Sequence, residues 1–468
     1  MNSGPLDSPR APNFVEALIC FSGVIATIAV GLFSLAIDLH VLMFVCLIWV
    51  GLNAYRLGYP YKDIRELMSS AITRALPAIY IFILIGMVIA SFMHSGTIAA
   101  LMYYGLNWIT PSLFLAVGLI LCALMSVATG TSWGTVGTLG IVFIGIGSAL
   151  NIPAPIVAGM VVCGATFGDK MSPISDTTNL AAMSAETNLY RHIYSMFFTT
   201  APSFMLAFVI FLVIGFGFGS DEITNQEIDT LRNVLNSEFA LNPLITLLPI
   251  IVLATLSIRR VPAEVTMSAS VVVAVLIAVF YQQHPFVQVM NALWSNSPGE
   301  TELQSLNDLL GRGGILSMAW TLILALMALA LGGILHGSGI LSALLSGLIA
   351  RVKNIAMLIA TTICSGFVGN LAMGEAYISI ILNCQLFRDK YHDKNLDKAI
   401  LSRSVEEGST LTTGLIPWTT AGAFYAATLG VPVLDYAPYA FFNYLNAVVS
   451  VSMAALGIGL LRKKIGSS

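Results

Sequence analysis

Apolar runs of 16 to 25 residues recur from one end of this chain to the other. Nothing else in the sequence narrows the fold so far. A run of that length fits a helix crossing a hydrocarbon core of about 30 Å. In lipid every backbone N–H and C=O must find a partner inside the protein, which leaves helix bundles and closed barrels. The period-2 alternation of barrel strands is absent. The fold class is therefore an all-α integral membrane protein. Composition agrees: 57% of the 468 residues are hydrophobic and 10% are charged, where a soluble domain carries about 25% charged residues. The mean hydropathy is +0.86. Residues 1–13 lack a small-residue cleavage site, and a second apolar run follows the first at once. The first run thus reads as a retained span, not a removed leader.

Several function classes drop out. The net charge of −3 comes without basic patches, so no nucleic-acid partner is expected. The six cysteines (20, 46, 122, 163, 364 and 384) are isolated in or beside apolar runs and read as small buried hydrophobes. No phosphate-cradling loop marks an ATP-driven pump. No nucleophile–histidine–acid arrangement marks an enzyme, and no cofactor is implied.

Uninterrupted spans are expected near 14–35, 38–56, 72–95 and 191–219, and again near 240–257, 264–283, 315–335 and 437–461. Between 111 and 189, and between 354 and 429, the pattern differs. Short apolar runs are broken by "TGTSWGT" (129–135), "GDKMSPISDTTN" (168–179), "VGNLAMGEA" (368–376) and "EEGSTLTTGLIPW" (406–418). The breaks keep the same order in each half. "HSGTIAALMYYGL" (94–106) is also echoed by "HGSGILSALLSGL" (336–348). The chain reads as an internal repeat: a tail at 1–13, a first repeat at 14–219, a linker at 220–238, a second repeat at 239–461 and a tail at 462–468.

Loop charge orients the repeats. Arg56, Lys62, Arg65 and Arg74 share one loop, and Arg259 and Arg260 a second. Arg388, Lys390, Lys394 and Lys398 share a third, and Arg462, Lys463 and Lys464 close the chain. The positive-inside rule makes all four segments cytoplasmic. The acidic stretches 220–239 and 284–314 are then external. Tracing the path gives each half about five crossings plus a re-entrant hairpin and a broken helix, or two full spans in place of each hairpin. Either count is odd, so the repeats are inverted and both termini are cytoplasmic.

Broken helices survive at membrane depth only where they are buried in protein or line a cavity. Matching breaks in inverted halves point to a transport site near the midplane. The first broken helix offers Asp169, Ser172, Ser175, Asp176, Thr177, Thr178 and Asn179, an almost pure oxygen set suited to a hard cation such as Na+. Two carboxylates in one low-dielectric pocket cannot both stay ionised cheaply. Such a group can hold either a proton or a sodium ion, and that competition is the simplest chemistry of exchange. Lys170 can compensate one acid. The structural alternatives are local salt bridges, Asp169 with Lys170 or Glu406 with Arg403, and hydroxyls that serve only packing.

At this point the residues carry a resemblance. "ATGTSWGTVGTLG" followed by "GATFGDKMSPISDTTNLAAM" resembles the signature of the NhaC-type sodium/proton antiporter family, over roughly residues 14–460. The resemblance implies a secondary transporter of the bacterial cell membrane that exchanges Na+ for H+, with those two ions and the lipid bilayer as its partners. It places Thr131, Ser132 and Trp133 at the first hairpin tip. Asp169, Ser172, Asp176, Thr177, Thr178 and Asn179 fall in the first broken helix. Asn370, Glu375, Thr410, Thr412 and Thr413 are the second-half counterparts. Asp169, Asp176 and then Glu375 are the expected proton carriers. Similar proteins include a malate/lactate exchanger, so sodium-coupled transport of an amino acid or small organic acid is the alternative. A scaffold with interfacial helices often dimerises, which adds a homodimer to the expectations.

Overall fold

The structure is a computed structural model that describes residues 9–108, 110–218, 225–259, 261–299, 301 and 303–461. Arg260, Glu300, Glu302, residues 1–8 of the first tail, 219–224 at the start of the linker and the basic tail 462–468 lie outside the described residues. Among the described residues every element is a helix. Eight are long and apolar enough to cross a membrane.

The plain spans fall largely where the apolar runs put them. Phe14–Ala29 continues into a π-helical turn at Val30–Ser34, and Leu39–Arg56, Leu76–His94 and the 30-residue Leu189–Phe218 follow in the first half. In the second half come Leu248–Ile258, Ala263–Phe280, Ala319–Gly337 and Phe441–Ala455. Two of these are shorter than their apolar runs. The run at 240–257 is split into Pro243–Thr246 and Leu248–Ile258, because Pro249 lacks an N–H and starts a new helix. The run at 437–461 begins as a 3-10 turn around Pro438 and stops before Gly457, whose φ is +73°.

Segments drawn as loops from their charge contain helices of their own. Tyr61–Arg74 lies in the basic stretch, Asn225–Glu238 in the linker, and Phe286–Trp294 and Gln304–Leu310 in the acidic stretch. Each buries one side. Leu231 and Leu235 are buried one turn apart, the spacing of an amphipathic helix on a core.

One order of elements occurs twice. A hairpin, Pro111–Thr129 then Ser132–Ala149, precedes a broken helix, Ala154–Met171 then Asp176–Ser184, and the span Leu189–Phe218. In the second half Ile355–Met373 and Ala376–Asp393 form the hairpin, Lys398–Thr413 and Thr420–Leu429 the broken helix, and Phe441–Ala455 the span. Each hairpin turns on a glycine that caps its first arm, Gly130 at φ +70° and Gly374 at φ +64°, a conformation that penalises any Cβ. Hairpin arms of 18 and 19 residues have the length of plain spans, about 28 Å at 1.5 Å per residue.

Each broken helix packs on the first arm of its own hairpin through glycine. A Cβ at Gly168 would lie 2.3 Å from the Ala123 carbonyl oxygen, and one at Gly408 would lie 2.3 Å from that of Ile363. Such small-residue contacts let helix backbones touch, which is how helices associate where lipid offers no hydrophobic drive.

Candidate functional site

Both breaks are built from the residues that flank them. In the first, Pro173 cannot continue the helix, and Ser175 caps the next segment by accepting from Thr178 N at 3.5 Å. Asn179 donates to Pro173 O at 3.0 Å and Ser175 O at 2.7 Å, which pins the break. In the second, Thr419 caps by accepting from Gly422 N at 3.0 Å and donates back to Thr413 O at 2.5 Å.

The two halves meet at the breaks. Lys170 Nζ donates to Glu406 Oε1 at 2.8 Å and to Thr177 Oγ1 at 2.8 Å, and lies 3.8 Å from Asp169 Oδ2. Thr178 Oγ1 lies 3.3 Å from Asp169 O and 3.4 Å from Glu406 Oε1. Glu406 Oε2 faces His192 Nε2 at 2.7 Å, from the span Leu189–Phe218. Ser132, one residue past the tip of the first hairpin, donates to Asp169 Oδ2 at 3.0 Å. Asp169, Lys170, Glu406 and His192 are all buried.

Of the two salt bridges of the structural alternative, Asp169 with Lys170 forms, at 3.8 Å, while Glu406 with Arg403 does not form. Arg403 Nε instead approaches Glu407 Oε1 at 3.8 Å, and Thr199 and Ser450 donate to the two Glu407 oxygens at 2.5 and 2.6 Å. Helix rotation decides this: it turns Glu406 toward Lys170 and Glu407 toward the two plain spans.

The second-half residues split into two groups. Asn370 Nδ2 donates to Ser409 O and, at 3.0 Å, to Thr412 Oγ1, so the second hairpin lies against the broken helix. Glu406, Thr410 and Thr413 follow i, i+4 and i+7 and share one helix face. Glu375 is held elsewhere, by Thr420 Oγ1 at 2.9 Å and by its own cap to Tyr377 N at 3.4 Å. Tyr377 OH donates to Asp176 Oδ2 across the halves.

Three expected residues make contacts within the frame. Ser172 donates to Val127 O at 2.8 Å. Thr131 caps its helix, accepting from Gly134 N at 3.3 Å. Trp133 stacks on Phe424 with ring centroids 4.5 Å apart.

Four buried oxygens of the expected set make no hydrogen bond: Asp169 Oδ1, Asn370 Oδ1, Thr410 Oγ1 and Thr413 Oγ1. Ser195, Ser338 and Asn446 also carry such oxygens but lie outside the hairpin tips and broken helices, and Thr428 carries one at the far end of Thr420–Leu429, away from the break.

Sequence reasoning passed over His192, Tyr377 and Thr420. A signal for the first existed. His192, Ser195, Thr199 and Ser203 recur at helical spacing in an otherwise apolar span, and all four are buried.

The chain is similar to known proteins over most of its length. The model of the Na+/H+ antiporter family matches residues 10–178 and 164–458. The Na+/H+ antiporter NhaC of Alkalihalophilus pseudofirmus is 37% identical over 444 residues, covering 95% of this chain and 96% of the relative. The Bacillus subtilis protein of the same name is 35% identical over 447 residues, 95% and 98% of the two chains. A malate-2H+/Na+-lactate antiporter of Bacillus subtilis is 32% identical over 436 residues, 93% of each.

Proposed function

The chain belongs to the Na+/H+ antiporter family, and on that premise we propose that it exchanges Na+ for H+ across a bacterial cell membrane, with both termini cytoplasmic. The unpartnered oxygens of Asp169, Asn370, Thr410 and Thr413 carry this reading. A buried polar atom without a partner costs about 1–3 kcal/mol; three of the four lie on the broken helices and Asn370 on the second hairpin, and all are oxygens of the kind a hard, dehydrated cation takes. Asp169 supplies the charge, and the amide and hydroxyls supply neutral oxygens. Ser132, Thr177 and Thr178 orient the carboxylate and its lysine. The two halves act as inverted repeats (14–219 and 239–461), so that rocking one part of the bundle against the other exposes the site to each side in turn.

The test uses purified protein in liposomes with a pH-sensitive dye inside. An imposed Na+ gradient without organic solute should drive proton movement, and Asp169→Asn should abolish it. The malate/lactate relative makes one further arm necessary. Silence with Na+ alone, broken only by adding malate, lactate or an amino acid, would replace antiport with sodium-coupled solute transport.

A further inference from the structure

The carboxylates around the proposed Na+ site outnumber its cations. Asp169 and Glu406 face a single Lys170, and Arg403 is committed to Glu407. A buried net charge is costly, so the cluster gains either from Na+ beside Asp169 or from one added proton. We infer that His192, in place of Asp169, Asp176 or Glu375, carries the proton that is exchanged; the inference rests on the Na+/H+ reading.

The hydrogen bonds around the ring indicate how. His192 Nε2 faces Glu406 Oε2 at 2.7 Å and Nδ1 faces Ser402 Oγ at 2.7 Å. Glu406 accepts from Lys170 through its other oxygen, so Nε2–H donates to it in either charge state. Nδ1 is the atom that gains and loses the proton. Ser402 can serve both states, because its hydroxyl has a second partner in Ala399 O at 3.1 Å. With Nδ1 protonated, Ser402 accepts from the ring and donates to Ala399. With Nδ1 bare, the hydroxyl turns and donates to the ring. No heavy atom moves, and neither state leaves the ring unpaired.

The groups that face this pair are few. Lys170 lies behind Glu406, with Asp169 beyond it. Arg403 lies on the same helix as Glu406 and donates to Ser195 O at 3.3 Å, while Glu407 takes its charge. Arg191, next to His192 in sequence, turns outward to Asp397 at 2.8 and 2.5 Å. His192 therefore lies one residue inside a half-exposed ionic end of its helix.

The decisive measurement is 22Na+ binding to purified protein between about pH 6 and pH 8, the range in which histidine changes charge. In the wild type, apparent Na+ affinity should fall up to about tenfold per pH unit of acidification, because each ion excludes the other. His192→Gln should bind Na+ with little dependence on pH and should fail to move protons in liposomes. Retention of the wild-type pH dependence in this variant would overturn the assignment while leaving antiport intact. Absence of Na+-driven proton movement in the wild type would instead remove the antiport reading, and the assignment with it. Should His192→Gln not survive purification, Ser402→Ala provides the second reading. It should shift the midpoint of the pH dependence, and an unmoved midpoint would overturn the assignment equally.

Discussion

Lys170 and Glu406 are 236 positions apart in sequence and 2.8 Å apart in space, Nζ to Oε1, with neither side chain exposed. The pair ties the two halves together at the breaks. Removing one partner of a buried ion pair leaves the other charge stranded. Lys170→Met should therefore lower stability by about 3–5 kcal/mol, and replacing both as Lys170→Met with Glu406→Gln should restore much of it. Thermal unfolding of the purified variants in detergent checks this. A double variant that loses as much as Lys170→Met and Glu406→Gln together would rule out a pairwise interaction.

The glycine contacts make a sharper steric prediction. Gly168→Val places a branched side chain against the Ala123 backbone, and overpacking of this kind costs about 1–3 kcal/mol or more. Gly51 provides the control, since a Cβ there meets nothing within 4 Å. Gly51→Ala should leave transport unchanged and raise stability by up to about 1 kcal/mol, through helix propensity alone. Comparing melting temperatures and transport rates of the two variants separates close packing from a general intolerance of substitution.

Tyr377 and Asp176 form a second link between the halves, through one hydroxyl. Tyr377→Phe and Asp176→Asn should each destabilise the protein, and the double variant should lose about 1 kcal/mol less than the sum. Strict additivity in a double-mutant cycle would mean that the two residues act independently.

Acid sensitivity is expected at a different place. Glu186, in the turn before Leu189–Phe218, accepts from Lys398 at 2.7 Å and from Arg388 at 2.6 Å. The hydrogen bond from Lys398, then the charge of Arg388, holds its carboxyl below the ordinary range. A lowered carboxylate contributes stability above its unfolded value and loses it as pH falls through the folded value. Melting temperature should therefore drop on acidification in the wild type, and less steeply in Glu186→Gln. Because the group is exposed, added salt should shrink the difference.

The sequence is informative about the elements and weak on their rotation. Apolar run length locates most spans, since lipid imposes it. Gly130 and Gly374 mark the hairpins, and Pro173 marks the first break, because these residues change what the backbone can do. The partner of Glu406 was not legible. Arg403 at i−3 and Lys170 far away are both suitable by type, and only the packed bundle turns one toward it. His192 was partly legible, as a polar stripe through Ser195, Thr199 and Ser203, but that spacing does not say what the stripe faces. The helices Tyr61–Arg74 and Asn225–Glu238 were hidden for a different reason: their charges orient the chain, and they read as loops unless their own periodicity is examined.

Helix Leu189–Phe218 has 30 residues and is about 45 Å long, half as long again as the hydrocarbon it crosses. It must lean steeply or project into the headgroups, and Phe197, Met205, Val209, Val213 and Phe216 expose apolar surface along it. His192 is fixed near one end of this helix. Pro202 lies between His192 and most of that apolar surface, and an interior proline bends a helix. Membrane thickness is therefore expected to reach the bond to Glu406 through the tilt or bend of this helix, so Na+-driven proton movement should vary with acyl chain length in reconstituted bilayers.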